Sequence, residues 1–395
     1  MRWQGCCGAV GFLLVLTLIL TGAPARAAGP AEVARADRSL WPQALDSQAA
    51  FDRASRAEML VFAVALNQAA SADKASLKTR LHVTSVDASA LERTRQRLLE
   101  ELLRGWQRAA ASCHGDELFC PAVGSVPELL TAGAALEAGL PAAYRAWYRN
   151  AQAFHQRYAD ELVRLAVLSP RVSSEIALYS GQERNGFELP DRQFLFSFDD
   201  GPSPRGSHTD VLLQTLKTSG VHGAFFVLGE ALQARLAEEG GTELATDYAG
   251  QCLALHGWRH LSHAQWPQWQ DSVTRTRDLV RQTFPSSYQP WFRPPYGQRR
   301  ADSGAFFQQQ GLDVVLWNID SQDWNAHVSA DEAAQRVLTL MLLWRHGIIL
   351  FHDIHPKAAQ AVPWLLKQTQ GTGVQWLDCQ RYAASVSGPP APGAR

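Results

Sequence analysis

Net charge is nearly absent from this chain: 37 Lys and Arg face 38 Asp and Glu, leaving −1. That balance excludes the long-range field that draws a protein to nucleic acid or to an anionic membrane. Long apolar runs are scarce as well. The one at residues 10–20 falls short of the roughly 20 residues a bilayer span needs, and no second one follows. Cysteines number 6 in 395 residues, with no close Cys-x-x-Cys pair, which argues against a thiolate metal centre. No twin arginine precedes the apolar run, so ordinary secretion is expected over export of a folded protein.

What the N-terminus does have is Arg2, the apolar run and then Ala25-Arg26-Ala27. This is the pattern of a secretory signal, 1–27, with cleavage expected after Ala27. An uncleaved signal anchor is the alternative. Cys6 and Cys7 precede the apolar core instead of following it, which argues against a lipid anchor.

Residues 28–180 read as an all-helical domain of about four helices. Ser89-Ala90-Leu91-Glu92 is a capping box ahead of Leu98, Leu99, Leu102, Leu103 and Trp106, which share one helical face. Tyr144, Trp147, Tyr148, Ala151, Phe154, Tyr158, Leu162 and Leu165 form a second apolar stripe, read as helix packing over a glycan platform. The job of this region is not legible. Docking onto the second half, or contact with a partner or wall polymer, are the readings.

The densest chemistry lies further on. An alternating strand at 194–198 ends in Asp199-Asp200-Gly201-Pro202. Two ionised acids side by side raise the free energy. A cation that holds one acid and leaves the other to move protons makes the pair tolerable. Ligands for one follow a second apolar run: His256 and His260 lie four apart, on one face of a helical turn. One carboxylate and two imidazoles, with room for water, is the ligand count of a catalytic metal site. The ligand types favour Zn²⁺, and Co²⁺, Ni²⁺ or Fe²⁺ also fit. Trp291-Phe292-Arg293-Pro294-Pro295-Tyr296-Gly297, a strand over 314–320 leading to Ser321-Gln322-Asp323-Trp324, and residues 348–351 leading to His352-Asp353 repeat the theme of polar groups at strand ends.

These five clusters, in this order, resemble the five motifs of the NodB-type polysaccharide deacetylases, the fourth carbohydrate esterase family, over about residues 193–381. The resemblance implies a distorted (β/α)7 barrel, an α/β fold, over 190–384. The helical domain precedes it, and the Pro-, Gly- and Ala-rich composition of 385–395 reads as a disordered tail. It implies Asp200, His256 and His260 as metal ligands and Asp199 as general base, tethered by Arg293. It implies His352 as general acid, with Asp320 or Asp323 orienting it and Asp323 favoured because it abuts Trp324. The Tyr296 N–H would face the oxyanion, and Tyr296 and Trp324 would stack on sugar or pack the rim. Gly257 departs from the Ser or Thr usual in the family, which leaves the shape of the histidine loop open.

Other residues read as structural. His263 competes weakly as a ligand, His355 is a loop residue near the pocket mouth, and Asp353 braces its loop. His208, His222, His327 and His346 are surface or core groups. Helices are expected over 208–219 (opened by a Ser207…Asp210 box), 230–239, 269–283, 300–310, 329–345 and 363–370. Strands are expected over 223–228 and 374–377. Past the signal, an oxidising compartment favours Cys113–Cys120 and a Cys252–Cys379 bond tying two barrel strands. Free buried thiols are the alternative for the second pair.

The functional expectation is a secreted, metal-dependent N-deacetylase acting on an N-acetylated polysaccharide, peptidoglycan or exopolysaccharide. A non-catalytic glycan-binding scaffold, or a related amidase or O-acetyl esterase, are the alternatives. The intact catalytic set argues against the scaffold.

Overall fold

The computed structural model describes residue 30, residues 32–113 and residues 118–386. The expected signal, and residues 387–395 of the expected tail, lie outside them.

Five helices come first: α1 (Gln48–Ala70), α2 (Lys74–Leu81), α3 (Ala88–Ala110), α4 (Val126–Ala135) and α5 (Arg145–Leu168). Ser47, Asp73, Asp87 and Ser125 cap the first four by accepting backbone N–H groups, each cap contributing about 1 kcal/mol. The expected box at Ser89 is therefore corrected. The Asp87 carboxylate reaches Ala90 N at 2.8 Å and starts α3 earlier. Both predicted apolar stripes are buried except Leu103 and Leu165.

Strands and helices then alternate. In order they are β1 (Glu183–Arg184), β2 (Gln193–Asp199), α6 (His208–Ser219), β3 (Ala224–Val227), α7 (Gly229–Glu239), α8 (Gly241–Asp247), β4 (Cys252–Leu255) and α9 (Trp269–Thr283). There follow β5 (Tyr288–Phe292), α10 (Gly304–Gln310), β6 (Asp313–Val315), β7 (Ile319–Asp320), α11 (Ala330–Trp344), β8 (Gly347–His352), α12 (Lys357–Gln368), β9 (Gln375–Trp376) and α13 (Cys379–Val386). Every pairing is parallel, in the order β1-β6-β5-β4-β3-β2-β8-β7, with β9 beside β2.

The single strand expected over 314–320 is in fact two. Leu316, Trp317 and Asn318 carry the chain from β6, near one end of the sheet, to β7 at the other. Four residue steps span at most about 14 Å, so the sheet must curl until its ends nearly meet. This is the distorted barrel. The seam between β1 and β7 stays unpaired. Its base is closed by Gly186, at φ 97°, where a Cβ would sit 2.5 Å from Ile348 N and 2.6 Å from Asn318 Oδ1.

Four smaller expectations are corrected. Ser207 makes no side-chain cap; Asp210 instead accepts Gly206 N–H at 2.6 Å. The helix expected from 300 starts at Gly304, because Arg300 and Asp302 pair side chain to side chain and hold a turn. Pro363 lies inside α12, not at its start. It faces solvent, where water satisfies the carbonyl that loses its N–H partner. The Cys252–Cys379 bond forms, as does Cys113–Cys120, but Cys379 opens α13 and not a strand.

The helical layer docks on the barrel through α11. Trp344 Nε1–H donates to Tyr158 Oη at 2.9 Å, and Phe62 meets the Trp344 ring edge-on. Arg336 donates to Glu161 at 2.6 and 3.0 Å, and Arg345 pairs with Asp52 at 2.8 Å. All four charges are buried. A buried ion pair is costly to break because the survivor is left without a counter-charge. Glu161→Ala should therefore destabilise the fold by about 3–5 kcal/mol, read as a lower urea midpoint. Glu161→Ala with Arg336→Met should recover most of the loss.

Candidate active site

The site starts where β2 runs out. Asp199 ends the strand, and Asp200 adopts φ 81°, a left-handed conformation that a side chain rarely takes and that is strained by about 1–3 kcal/mol. The next residue must be glycine, because a Cβ on Gly201 would overlap the Asp353 carboxylate. Asp353 is buried, accepts from Thr209 Oγ1 at 2.9 Å, and so wedges the turn from beneath. Burial pushes its pKa up to about 7. The turn swings the two acids apart, so they face different partners.

Asp200 faces the histidines. Its Oδ1 lies 3.3 Å from His256 Nε2 and 3.5 Å from His260 Nε2. The Arg293 carbonyl can only accept, so the 2.8 Å contact to His256 Nδ1 puts the proton there. His256 Nε2 is left with its lone pair. Asp200 Oδ1 accordingly is buried without a donor. An acceptor oxygen and an acceptor nitrogen face each other at short range, and the three ligand atoms lie within 4.8 Å of one another. A cation resolves that arrangement. Asp200, His256 and His260 fit one, and they are the three the sequence singled out. Burial lowers His260 to about 4, against the pull of Asp200, so its ring is neutral and able to ligate at pH 7.

Gly257 has φ 86°, and a Cβ there would lie 2.6 Å from the His263 ring. The loop takes its hydroxyl from α9 instead. Ser272 Oγ accepts Trp258 N–H at 2.7 Å and sits 3.1 Å from His263 Nε2. Because His263 Nδ1 contacts the Leu261 carbonyl at 2.9 Å, both of its nitrogens are occupied and it stands outside the ligand group.

Asp199 turns to Arg293, which donates through Nη1 at 2.8 Å. Arg293 is fully buried, yet all its nitrogens are used: Ser197 Oγ, Val315 O and Leu316 O take the other bonds. Its guanidinium lies 3.9 Å over the Phe226 ring. The other oxygen of Asp199 points back toward His256 Nε2, 3.8 Å away. Opposite stands His352, whose Nδ1–H donates to Asp323 Oδ1 at 2.7 Å while its backbone N–H donates to Asp323 Oδ2 at 2.9 Å. Asp320 does not reach it; its oxygens bind Gln322 N and Nε2. Burial alone would lower the His352 pKa. The charge and hydrogen bond of Asp323, with Asp200 and Asp199 behind, push it up to about 10.

These groups open into a cavity of about 300 Å³, at the small end of the roughly 300–1,000 Å³ usual for ligand sites. Tyr296 and Trp324, 36% and 38% exposed, stand at its rim, with the Tyr296 ring 4.3 Å from that of His260. His355 lies beside His352, 6.2 Å ring to ring. Sequence reasoning missed a whole wall. Leu98, Glu161, Leu162, Leu165, Glu175 and Ile176 come from the helical half or the connection after it. Their spacing reads as helix packing, and nothing local marks them as facing a site.

Residues 188–315 match the family model described as polysaccharide deacetylase. The chain is similar to the peptidoglycan-N-acetylmuramic acid deacetylase PdaC of Bacillus subtilis, 29% identical over 188 residues that cover 45% of this chain and 36% of that protein. It is also similar to the peptidoglycan-N-acetylglucosamine deacetylase PgdA of Listeria monocytogenes, 28% identical over 191 residues covering 47% and 38%. It thus spans well under half the length of these curated relatives. A crystallised peptidoglycan N-acetylglucosamine deacetylase aligns with a TM-score of 0.44 and 21% identity, over 50% of this chain and 90% of that one. Residues 188–315, within the barrel half of the chain, are thus similar to polysaccharide deacetylases.

The His352–Asp323 contact has a pH signature. A folded-state pKa of about 10 stands above the unfolded value near 6.5. The pair's stabilisation is therefore complete below about pH 6.5 and is lost as pH rises toward 10. In metal-free protein, Asp323→Asn should lower the His352 midpoint by roughly 1–3 units, followed by ¹⁵N NMR of the ring. It should also flatten the loss of stability across that window.

Proposed function

We propose that this chain is an exported, metal-dependent hydrolase that removes N-acetyl groups from N-acetylhexosamine units of a polysaccharide, either peptidoglycan or an exopolysaccharide. One observation carries the reading: Asp200 Oδ1, His256 Nε2 and His260 Nε2 converge on one point while Asp199 stays off it, held by Arg293. A divalent ion there, Zn²⁺ first by ligand type and Co²⁺, Ni²⁺ or Fe²⁺ after it, would polarise the amide carbonyl and make water more acidic.

The chain's own groups do the proton work. Asp199 takes a proton from the attacking water, and Arg293 keeps that carboxylate oriented. His352, charged through its contact with Asp323, gives its Nε2 proton to the amine as the carbon–nitrogen bond breaks. An amine leaves poorly without that proton. The Tyr296 backbone N–H meets the developing oxyanion. The rings of Tyr296 and Trp324, at the open rim, stack on the sugar. The products are acetate and a free amino sugar. Export is supported by the apolar run at 10–20 with Ala25-Arg26-Ala27 and by two disulfides, which persist in oxidising compartments. Among the described residues no helix is long and apolar enough to cross a membrane.

Purified protein with added Zn²⁺ or Co²⁺ should release acetate from N-acetylglucosamine oligomers or from peptidoglycan. Asp199→Asn should lower turnover by roughly 10²–10⁴ with metal still bound. His256→Ala should lose the metal itself, seen by elemental analysis. Turnover of Asp199→Asn at the parent rate would remove Asp199 from the role of base.

A further inference from the structure

The cavity continues past the reacting groups. Leu350 lies two residues before His352 on β8, so its side chain shares the face of His352 about 7 Å deeper. From Leu350 and Trp317 the space runs along the seam between β1 and β7. Its far wall is Leu98, Leu162, Leu165, Ile176, Phe187 and Trp344. The first four belong to the helical half or the connection after it, outside the polysaccharide deacetylase match at 188–315.

Geometry divides a substrate between the two ends of this space. The carbonyl carbon of an amide carries an amine on one side and an acyl group on the other. The amine bears the sugar and its neighbours, and that bulk needs the open rim beside Tyr296 and Trp324. The acyl group must then point inward, onto Leu350, which is 3% exposed. An acetyl methyl reaches only the top of the chamber. Resting on the hydrolase reading above, we infer that the helical layer forms the inner part of the substrate site and admits unbranched aliphatic acyl groups longer than acetyl on an amino sugar.

The charged groups of the chamber other than Glu175 have partners of their own. Glu161 is neutralised by Arg336. Burial pushes Glu175 up to about 8, so it is mostly uncharged at pH 7, and Asp320 up to about 6, with its oxygens turned to Gln322. The chemistry is unchanged. Water adds to the acyl carbon, the carbon–nitrogen bond breaks, His352 protonates the amine, and the product is the longer carboxylate.

The test uses the metal-loaded full chain and two readouts. The first is calorimetric binding of the released acids: acetate, propionate, butyrate and hexanoate. Affinity should rise roughly fourfold per methylene until the chamber is full, the equivalent of about 0.8 kcal/mol per buried CH₂. The second is amine release from glucosamine oligomers N-acylated with the same series, where kcat/KM for butyryl should equal or exceed that for acetyl. Leu165→Trp, which fills the chamber, should cut the butyryl-to-acetyl ratio at least tenfold in both readouts. Affinity that is flat or falls beyond acetate overturns the inference, even if acetyl groups are released. Rising affinity with no amine released from any substrate upholds the chamber and defeats the hydrolase reading instead.

Discussion

Three candidate ligand atoms that share one small space govern this site. Asp200 Oδ1 has no donor in reach, the lone pair of His256 Nε2 faces it at 3.3 Å, and His260 Nε2 lies 3.5 Å away. Each is held there by something else. The Arg293 carbonyl fixes the tautomer of His256. The strained backbone at Asp200 aims its carboxylate, with Asp353 packed against Gly201 to keep the turn in place. Ser272 and the positive φ of Gly257 shape the histidine loop. Such strain persists only where surrounding contacts overdetermine it, and here those contacts come from β2, β5, α6, α9 and the loop after β8.

Arg293 joins this centre to the rest of the barrel. It sits at the end of β5, its carbonyl orders one ligand, and its guanidinium orders Asp199 and ties β2 to the end of β6. A buried guanidinium tolerates such a position only when its donors are satisfied. One residue thus orients both a candidate ligand imidazole, through its carbonyl, and Asp199, through its guanidinium. On the far side of the pocket Asp323 does the equivalent for His352, using both oxygens on one residue. The two acids after β2 are kept in different roles by different partners, which is how like charges coexist so close together.

Much of the site was legible in the sequence because its residues sit at strand ends within short local patterns. Asp199-Asp200-Gly201, His256 with His260, and Arg293 with its prolines each mark themselves within a few residues. The choice of Asp323 over Asp320 as partner of His352 rested in the sequence only on its neighbour Trp324. Both lie a plausible distance along the chain, and only the geometry of the loop brings Asp323 to 2.7 Å and turns Asp320 onto Gln322. The strand over 314–320 was misread for a related reason. Its apolar run is continuous, but its two halves pair with strands at opposite ends of the curled sheet, and pairing leaves no trace in local periodicity. Leu165 shows the same limit. It follows the helical stripe yet lines the cavity, because a stripe tells which face is apolar and not what that face meets.

The sequence by itself determined the strand–helix alternation and marked out the candidate ligands and the candidate proton-handling groups, since these depend on residue type and near-neighbour spacing. The tertiary structure alone decided that the helical layer rests on α11 across the barrel seam, where Glu161 meets Arg336 and Tyr158 meets Trp344. It also decided that this layer closes one side of the cavity. Those contacts join residues more than a hundred positions apart. They follow from how the curled sheet brings its ends together, and no local pattern encodes that approach.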